Sequence, residues 1–320
     1  MYGLGGSHMP DSELPAPLHP SDRVREQTLT NQVLHSFART SSPRQRAVLE
    51  SLVRHLHGFI REVRLTDDEW RAGIDFLTQT GHITDDHRQE FILLSDVLGA
   101  SMLTVGINQP ADPAATECTV YGPFFLSESP YIELGGDLAQ GAPGQPLLVQ
   151  GTVRGLSGKP VRGALLQVWG ADEDGLYDVQ HEGERSANRG HLVADEDGNF
   201  TFWTIRPVAY PIPSDGPVGE LLRTTNRSPM RPAHLHFIVS APGWHTLVTH
   251  LFAAGDKYLG NDAVFGVKDS LVVPFIEHSA TDAPPDRHAD GTWSSVAYDF
   301  VLAPAGPLAE KGPEDRPIPL

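Results

Sequence analysis

The chain has 320 residues and 39% hydrophobic side chains, enough for one large domain or two smaller ones around a sizeable core. A net charge of −17 argues against nucleic acid or anionic membrane as a partner, since those need basic patches. The single cysteine, Cys118, excludes an intrachain disulfide and any cysteine-based zinc or iron–sulfur centre, and it suits a reducing, cytoplasmic setting.

No apolar run approaches the roughly 20 residues of a transmembrane helix, and the opening residues do not read as a signal peptide. The stretch Met1–Met9 looks partly like an expression scar, with a natural start near Met9. Residues 1–20 are expected to form an irregular arm and 21–108 a helical region. Val24, Thr28, Val33, Leu34 and Phe37 mark an imperfect first helix. Ser42-Pro43 is a cap with proline at the first helical position, and Val48 to Val63 keep a helical period behind it. Thr66 and Glu69 form a capping box for a third helix that carries Trp70, Ile74 and Leu77 and stops near Gly81. Thr84 is expected to cap one longer apolar helix, 84–105, containing Phe91, Leu94, Leu98 and Met102.

A Pro/Asp/Ala-rich linker at 108–117 leads to Val120-Tyr121-Gly122-Pro123-Phe124-Phe125, an aromatic stretch broken by Gly-Pro. Beyond about Gln145 the pattern changes to short strands, expected at 146–153, 164–169, 199–205, 234–240, 246–252 and 296–301. Turn signals such as Asp197-Gly198-Asn199 separate them, which argues for a mainly β fold, an antiparallel β-sandwich over 109–303, with an extended tail at 304–320. No phosphate-cradling glycine loop appears, so nucleotide cofactors are not expected.

The strand pattern at 234–240 puts His234 and His236 on one face, with Leu235, Phe237 and Val239 on the other. A lone His-x-His is often structural. Arg231 and Pro232 precede this pair, and tyrosines at 177 and 210 stand in glycine- and proline-rich settings upstream. A cupin-like Fe(II) site would want a carboxylate shortly after the second histidine, but Phe237 to Pro242 supply none. Two histidines on a strand would also suit a zinc hydrolase, and the glycine, proline and aromatic content would suit a non-catalytic β-sandwich binding module.

The order Gly175-x-Tyr177-Asp178, then Pro207-Val208-x-Tyr210-Pro211-x-Pro213, then Arg231-Pro232-Ala233-His234-x-His236 resembles the intradiol ring-cleavage dioxygenases, from about Leu93 to about Phe300. The resemblance implies a non-haem Fe(III) held by Tyr177, Tyr210, His234 and His236. A hard trivalent cation suits phenolate oxygens and can lower a phenol's pKa far below its usual ~10. It also implies that Tyr210 accepts a substrate proton and that Arg231 stabilises charge on the ring. Its substrates would be an aromatic diol or triol and O2. The helical region would form a homodimer and could hold a phospholipid.

By the same resemblance, Leu93, Asp96, Val120, Tyr121, Gly122, Pro123, Phe124, Ile212, Pro213 and Val264 line the pocket, with His250 near the iron. Asp96 lies in an apolar helix, where an inward carboxyl needs a partner such as a third ring hydroxyl. His250, where catechol-specific relatives usually carry Gln, and the run Asn261–Lys268 resemble the branch acting on hydroxyquinol. Catechol or a substituted catechol is the alternative substrate. Tyr121 departs from that branch, which usually has a smaller or non-hydroxylated group there. His181, His191, His245, His278 and His288 are expected to be surface or structural residues.

Overall fold

The computed structural model describes residues 20–85, 88–110, 112–181, 187–282 and 291–305. The expected scar, the expected arm except Pro20 (which opens a helix), all but the first two residues of the tail, and His288 lie outside them. The chain divides into two compact units, residues 1–77 and 78–320.

In the first unit, helix α1 runs Pro20–Ser36 and α2 Pro43–Val63. Ser42 accepts the amide of Gln45 at 3.2 Å, and Pro43 takes the first helical turn, so α2 starts at its expected cap. Helix α3, Asp67–His82, opens on the reciprocal Thr66–Glu69 capping box. It passes into the second unit at residue 78.

The single helix expected over 84–105 is two helices, α4 (Glu90–Val97) and α5 (Ala100–Asn108), bent by 77°. Gly99 adopts φ +73°, which a bulkier residue resists, and there the chain turns. Thr84 does not cap either helix. Its hydroxyl donates to the Thr80 carbonyl at the end of α3. No single helix among the described residues is long and apolar enough to cross a membrane.

The strands are β1 (Pro146–Gly155), β2 (Leu165–Gly170), β3 (Arg189–Val193), β4 (Asn199–Ile205), β5 (Tyr210–Pro211), β6 (Met230–Arg231), β7 (His234–Ser240), β8 (Leu247–Ala253), β9 (Val272–Val273), β10 (Ile276–His278), β11 (Trp293–Ala297) and β12 (Phe300–Leu302). A short helix, α6 (Pro217–Thr224), interrupts them. One sheet has the order β10-β11-β1-β12, with β4 also on β1, and the other is β3-β2-β7-β8-β9. A two-residue ribbon pairs β5 with β6.

The sheets are mixed, which corrects the expected antiparallel sandwich. β1 pairs antiparallel with β4 but parallel with β11 and β12, and β8 pairs parallel with β9. The expected strand 296–301 is two strands, both lying along β1, with a break at Tyr298-Asp299.

The core lies between the two sheets. Val149 and Val153 of β1 and Phe200 and Phe202 of β4 face Leu166 and Val168 of β2 and Leu235, Phe237 and Val239 of β7. β7 is buried on both faces, because its even-numbered residues face a second layer containing Trp169, Tyr177 and Tyr210. A third cluster joins Leu93 and Val97 of α4 to Val120, Ile212, Val218 and Val264.

Candidate metal centre

β7 is clamped between β2 and β8, with Trp169 opposite His236 on one side and His250 opposite it on the other. This ladder fixes the register of the His-x-His pair. The β5–β6 ribbon sets Tyr210 opposite Arg231, three residues before His234. Tyr177 follows a tight turn in which Asp172 accepts amides from Asp174 and Leu176. Gly175, at φ +78°, closes that turn, and a Cβ there would come within 2.7 Å of Tyr210 Cβ. The next residue after Tyr177, Asp178, is gripped by the buried Arg189 through two hydrogen bonds of 2.8 and 2.6 Å.

These elements bring four donor atoms together. Tyr177 Oη lies 2.9 Å from Tyr210 Oη and 2.8 Å from His236 Nε2. His234 Nε2 lies 3.1 Å from His236 Nε2 and 3.4 Å from Tyr210 Oη. Donors bound to one small cation at ~2.0–2.2 Å sit about 3 Å apart, so the cluster has the spacing of a coordination shell.

The hydrogen-bond network assigns the imidazole protons. His234 Nδ1–H donates to the Pro232 carbonyl at 2.6 Å, leaving the Nε2 lone pair turned to the cluster. His236 Nδ1 meets His250 Nε2 at 2.7 Å, so with Nδ1–H donating, His236 Nε2 is also free to bind. His250 Nδ1 then carries a proton and, although buried, has no partner. One nitrogen from each of the three histidines falls within a 4.8 Å set, a group able to hold a metal. His250 spends Nε2 on His236, however, and stands behind it, on the side away from the tyrosines.

Electrostatics keep the four donor groups neutral. Burial pushes the Tyr177 phenol well above its ordinary pKa, with Tyr210 adding to the effect, and burial also raises Tyr210. Burial, and then the neighbouring charges of Arg231 or His250, hold His234 and His236 well below the usual imidazole range. The imidazoles are thus deprotonated as ligands must be, while the phenols need a strong local cation to ionise. Burial opposes the charge of Arg231, but Asp262 and the two tyrosines outweigh it and keep the guanidinium charged.

Beside the cluster is a small cavity of about 10 Å³. Its lining includes Leu93 and Asp96 from α4, Val120, Gly122, Pro123 and Phe124 from the aromatic stretch, and Ile212, Pro213 and Val264, with Tyr210 and Arg231 on the metal side. Tyr121, expected there, does not line it and packs its ring edge-on against Phe125. His250, expected near the metal and in contact with substrate, sits behind His236 and outside the lining. Burial raises Asp96 to about 6, while its hydrogen bond with Ser101 and the charge of Arg231 pull it down.

Among the histidines expected to be structural, His181, His191 and His278 bond Asp172, Ser129 and Ser295. Sequence reasoning missed the residues that hold the walls in place. Arg189 bonds Asp178 and the Phe124 carbonyl, and buried Glu90 accepts the amide of Val218 at 3.0 Å. Arg227 donates to the carbonyls of Val97 and Ala263 at 2.6 and 3.1 Å, joining α4 to the loop of Val264. Glu90 closes a polar stretch and Arg227 lies in a polar loop, so neither stands out in the sequence, and their partners are 36 to 130 residues away.

The chain matches a family model described as "Dioxygenase" over residues 121–304 and one described as "Catechol dioxygenase N terminus" over residues 42–116. It is 56% identical to a hydroxyquinol 1,2-dioxygenase of Nocardioides simplex, covering 90% of this chain and 99% of that protein. It is 54% identical to a 6-chlorohydroxyquinol 1,2-dioxygenase of Cupriavidus pinatubonensis, covering 87% and 98%. Its fold superimposes on the crystal structure of hydroxyquinol 1,2-dioxygenase from Pseudomonas putida DLL-E4 with a TM-score of 0.82 at 45% identity, over 88% of this chain and all of that one. The chain belongs to the intradiol ring-cleavage dioxygenase family and is an enzyme of that family.

Proposed function

We propose that the enzyme opens the ring of hydroxyquinol, benzene-1,2,4-triol, between its adjacent hydroxylated carbons. Both atoms of O2 enter the product, 3-hydroxy-cis,cis-muconate, which tautomerises to maleylacetate. A non-haem Fe(III) would be held by Tyr177, Tyr210, His234 and His236. The donor set fits it: two hard phenol oxygens and two neutral imidazoles, within 2.8–3.4 Å of their neighbours. What the iron supplies when bound is Lewis acidity towards the diol oxygens and the one-electron chemistry that lets O2 react with the ring.

The observation that carries the substrate is Asp96, a buried carboxyl lining the same cavity as Tyr210 and Arg231. A third ring hydroxyl offers that carboxyl a hydrogen bond that catechol lacks. Leu93, Val120, Ile212 and Val264 supply apolar contact for the ring. Arg231 Nη1 is 3.5 Å from Tyr210 Oη, which supports its reading as a fixed cation for negative charge on the substrate. With the iron bound, Tyr210 as the phenolate would accept a proton from one of the diol's hydroxyls. Turnover of hydroxyquinol against catechol, followed by O2 uptake and product identity, tests the substrate. The reading expects kcat/KM to favour hydroxyquinol by about tenfold or more; a preference for catechol would reassign the enzyme to muconate formation.

The helical unit supports a homodimer: α2 leaves Leu52, Leu56 and Phe59 exposed, and α3 leaves Trp70 and Ile74 exposed. A cleft of about 270 Å³ there, lined by Leu29, Ile60 and Leu65 with His57, Arg61 and an Arg64–Glu26 ion pair, supports the reading that it takes the apolar chain of a phospholipid, with Arg61 nearest for its anionic head. The lone thiol, Cys118, is in keeping with a cytoplasmic enzyme.

A further inference from the structure

We propose that Asp262 is a positioning residue: it aims the Arg231 guanidinium into the cavity and acts on ring cleavage only through it. The proposal rests on the preceding reading for what occupies that cavity. Arg231 is buried, and its guanidinium uses its donors unevenly. Nε donates to Asp262 Oδ1 at 3.2 Å, Nη1 donates to His234 Nε2 at 3.0 Å, and Nη2 has no partner. Nη1 also reaches Tyr210 Oη at 3.5 Å, so Nε and Nη1 tie the group down on the side of the cluster. Nη2 is the terminal nitrogen left free to meet negative charge on a bound ring.

The carboxylate cannot turn to grip Arg231 more fully, because the backbone holds both its oxygens. Oδ1 also accepts the amide of Val264 at 3.3 Å, and Oδ2 accepts that of Gly266 at 2.9 Å. The second buried arginine pair is built differently. Arg189 engages Asp178 in a two-point fork through Nε and Nη2, and Nη2 also donates to the Phe124 carbonyl. A fork fixes a structural arginine, whereas the single contact from Arg231 Nε to an immobile carboxylate fixes direction and leaves Nη2 available. Space enforces the same alignment, since a Cβ at Gly266 would come within 3.1 Å of both Arg231 Nη2 and Asp262 Oδ2. Val264, on the same loop, lines the cavity, so one carboxylate sets the cation and the adjacent wall together.

The test is a double-mutant cycle with Asp262→Asn and Arg231→Ala in iron-loaded protein, with kcat, KM and the resting visible band measured for each. Asp262→Asn is expected to keep its metal and its band, to lose about 10- to 100-fold in kcat and to change KM by less than about threefold. In the Arg231→Ala background the same change should cost less than about twofold further. An equal further loss there, a lost band, or a kcat near wild type would each overturn the proposal. If Asp262→Asn gives no cooperative melt, Gly266→Ala decides. It removes neither partner but crowds the guanidinium and the carboxylate equally and so disturbs their alignment, so a kcat loss of about fivefold or more is expected, and wild-type kcat contradicts the proposal. A wild type without turnover removes the underlying reading and this proposal together; wild-type turnover with an unaffected Asp262→Asn removes the proposal alone.

Discussion

The two walls of the cavity are held by different means. On the metal wall, the backbone places the donors: β7 is laddered on both sides, and Tyr210 is paired with Arg231 across a ribbon. The opposite wall draws on α4, the 120–124 stretch, 212–213 and Val264, and side chains tie it together. Glu90 holds the start of α6, Arg227 bridges Val97 and Ala263, and Asp262 gathers the amides of Val264 and Gly266. A ladder fixes register over many residues, so a ligand there cannot shift alone. A wall held by single side chains can change one residue at a time while the metal wall stays put, which is where substrate preference can diverge within a family sharing one chemistry.

The contrast would break most visibly on the metal wall. His236→Ala removes a donor that the ladder cannot replace, and we expect iron content to collapse and turnover to fall by about 10³-fold or more. Metal analysis alongside kcat checks this; a variant with full iron and near-normal turnover would show that the shell is not the one assigned.

Asp96→Asn on the opposite wall should leave iron content unchanged and cut the hydroxyquinol-to-catechol ratio of kcat/KM by about 10- to 100-fold. It also carries a stability signature. Burial holds the Asp96 carboxyl at about 6, against an ordinary 3.8, so the folded state binds this proton more tightly than the unfolded chain. The group's contribution is therefore most favourable below about pH 4; it weakens as pH rises to about 6, and roughly 3 kcal/mol has been lost above that. Relative to wild type, metal-free Asp96→Asn should gain nothing in melting temperature near pH 4 and most at pH 7. A gain independent of pH would mean that the carboxyl is not perturbed.

The smallest effect belongs to the residue behind the metal wall. His250→Gln keeps an acceptor for His236 Nδ1–H, and we expect about a tenfold loss of iron affinity in chelator competition with little change in substrate ratio. A larger change in substrate ratio than in iron affinity would place His250 with the recognition wall.

Much of the metal wall was legible in the sequence because period-two alternation declares which residues share a strand face. β4 and β7 fall at the bounds their patterns imply, and Leu235, Phe237 and Val239 fill the core opposite the histidines. Capping chemistry was equally readable at Ser42 and Thr66, where the cap bonds its own next turn. The break between α4 and α5 was not, since Gly99 sits in a continuous apolar run whose helical period survives across the bend. Nor was the parallel return of β11 and β12 onto β1, because a strand's own residues do not reveal which neighbour it chooses. Arg189, Arg227 and Asp262 escaped for a related reason: an isolated charge in sequence reads as surface until its buried partner is known.

The central claim is that Tyr177, Tyr210, His234 and His236 converge on one ferric ion beside the substrate cavity, and the visible spectrum of iron-loaded protein without oxygen tests it most directly. Two tyrosinates on that iron predict a charge-transfer band that shifts on adding hydroxyquinol and decays when oxygen is admitted. Iron-replete protein with no such band would contradict the claim, whatever else the enzyme does.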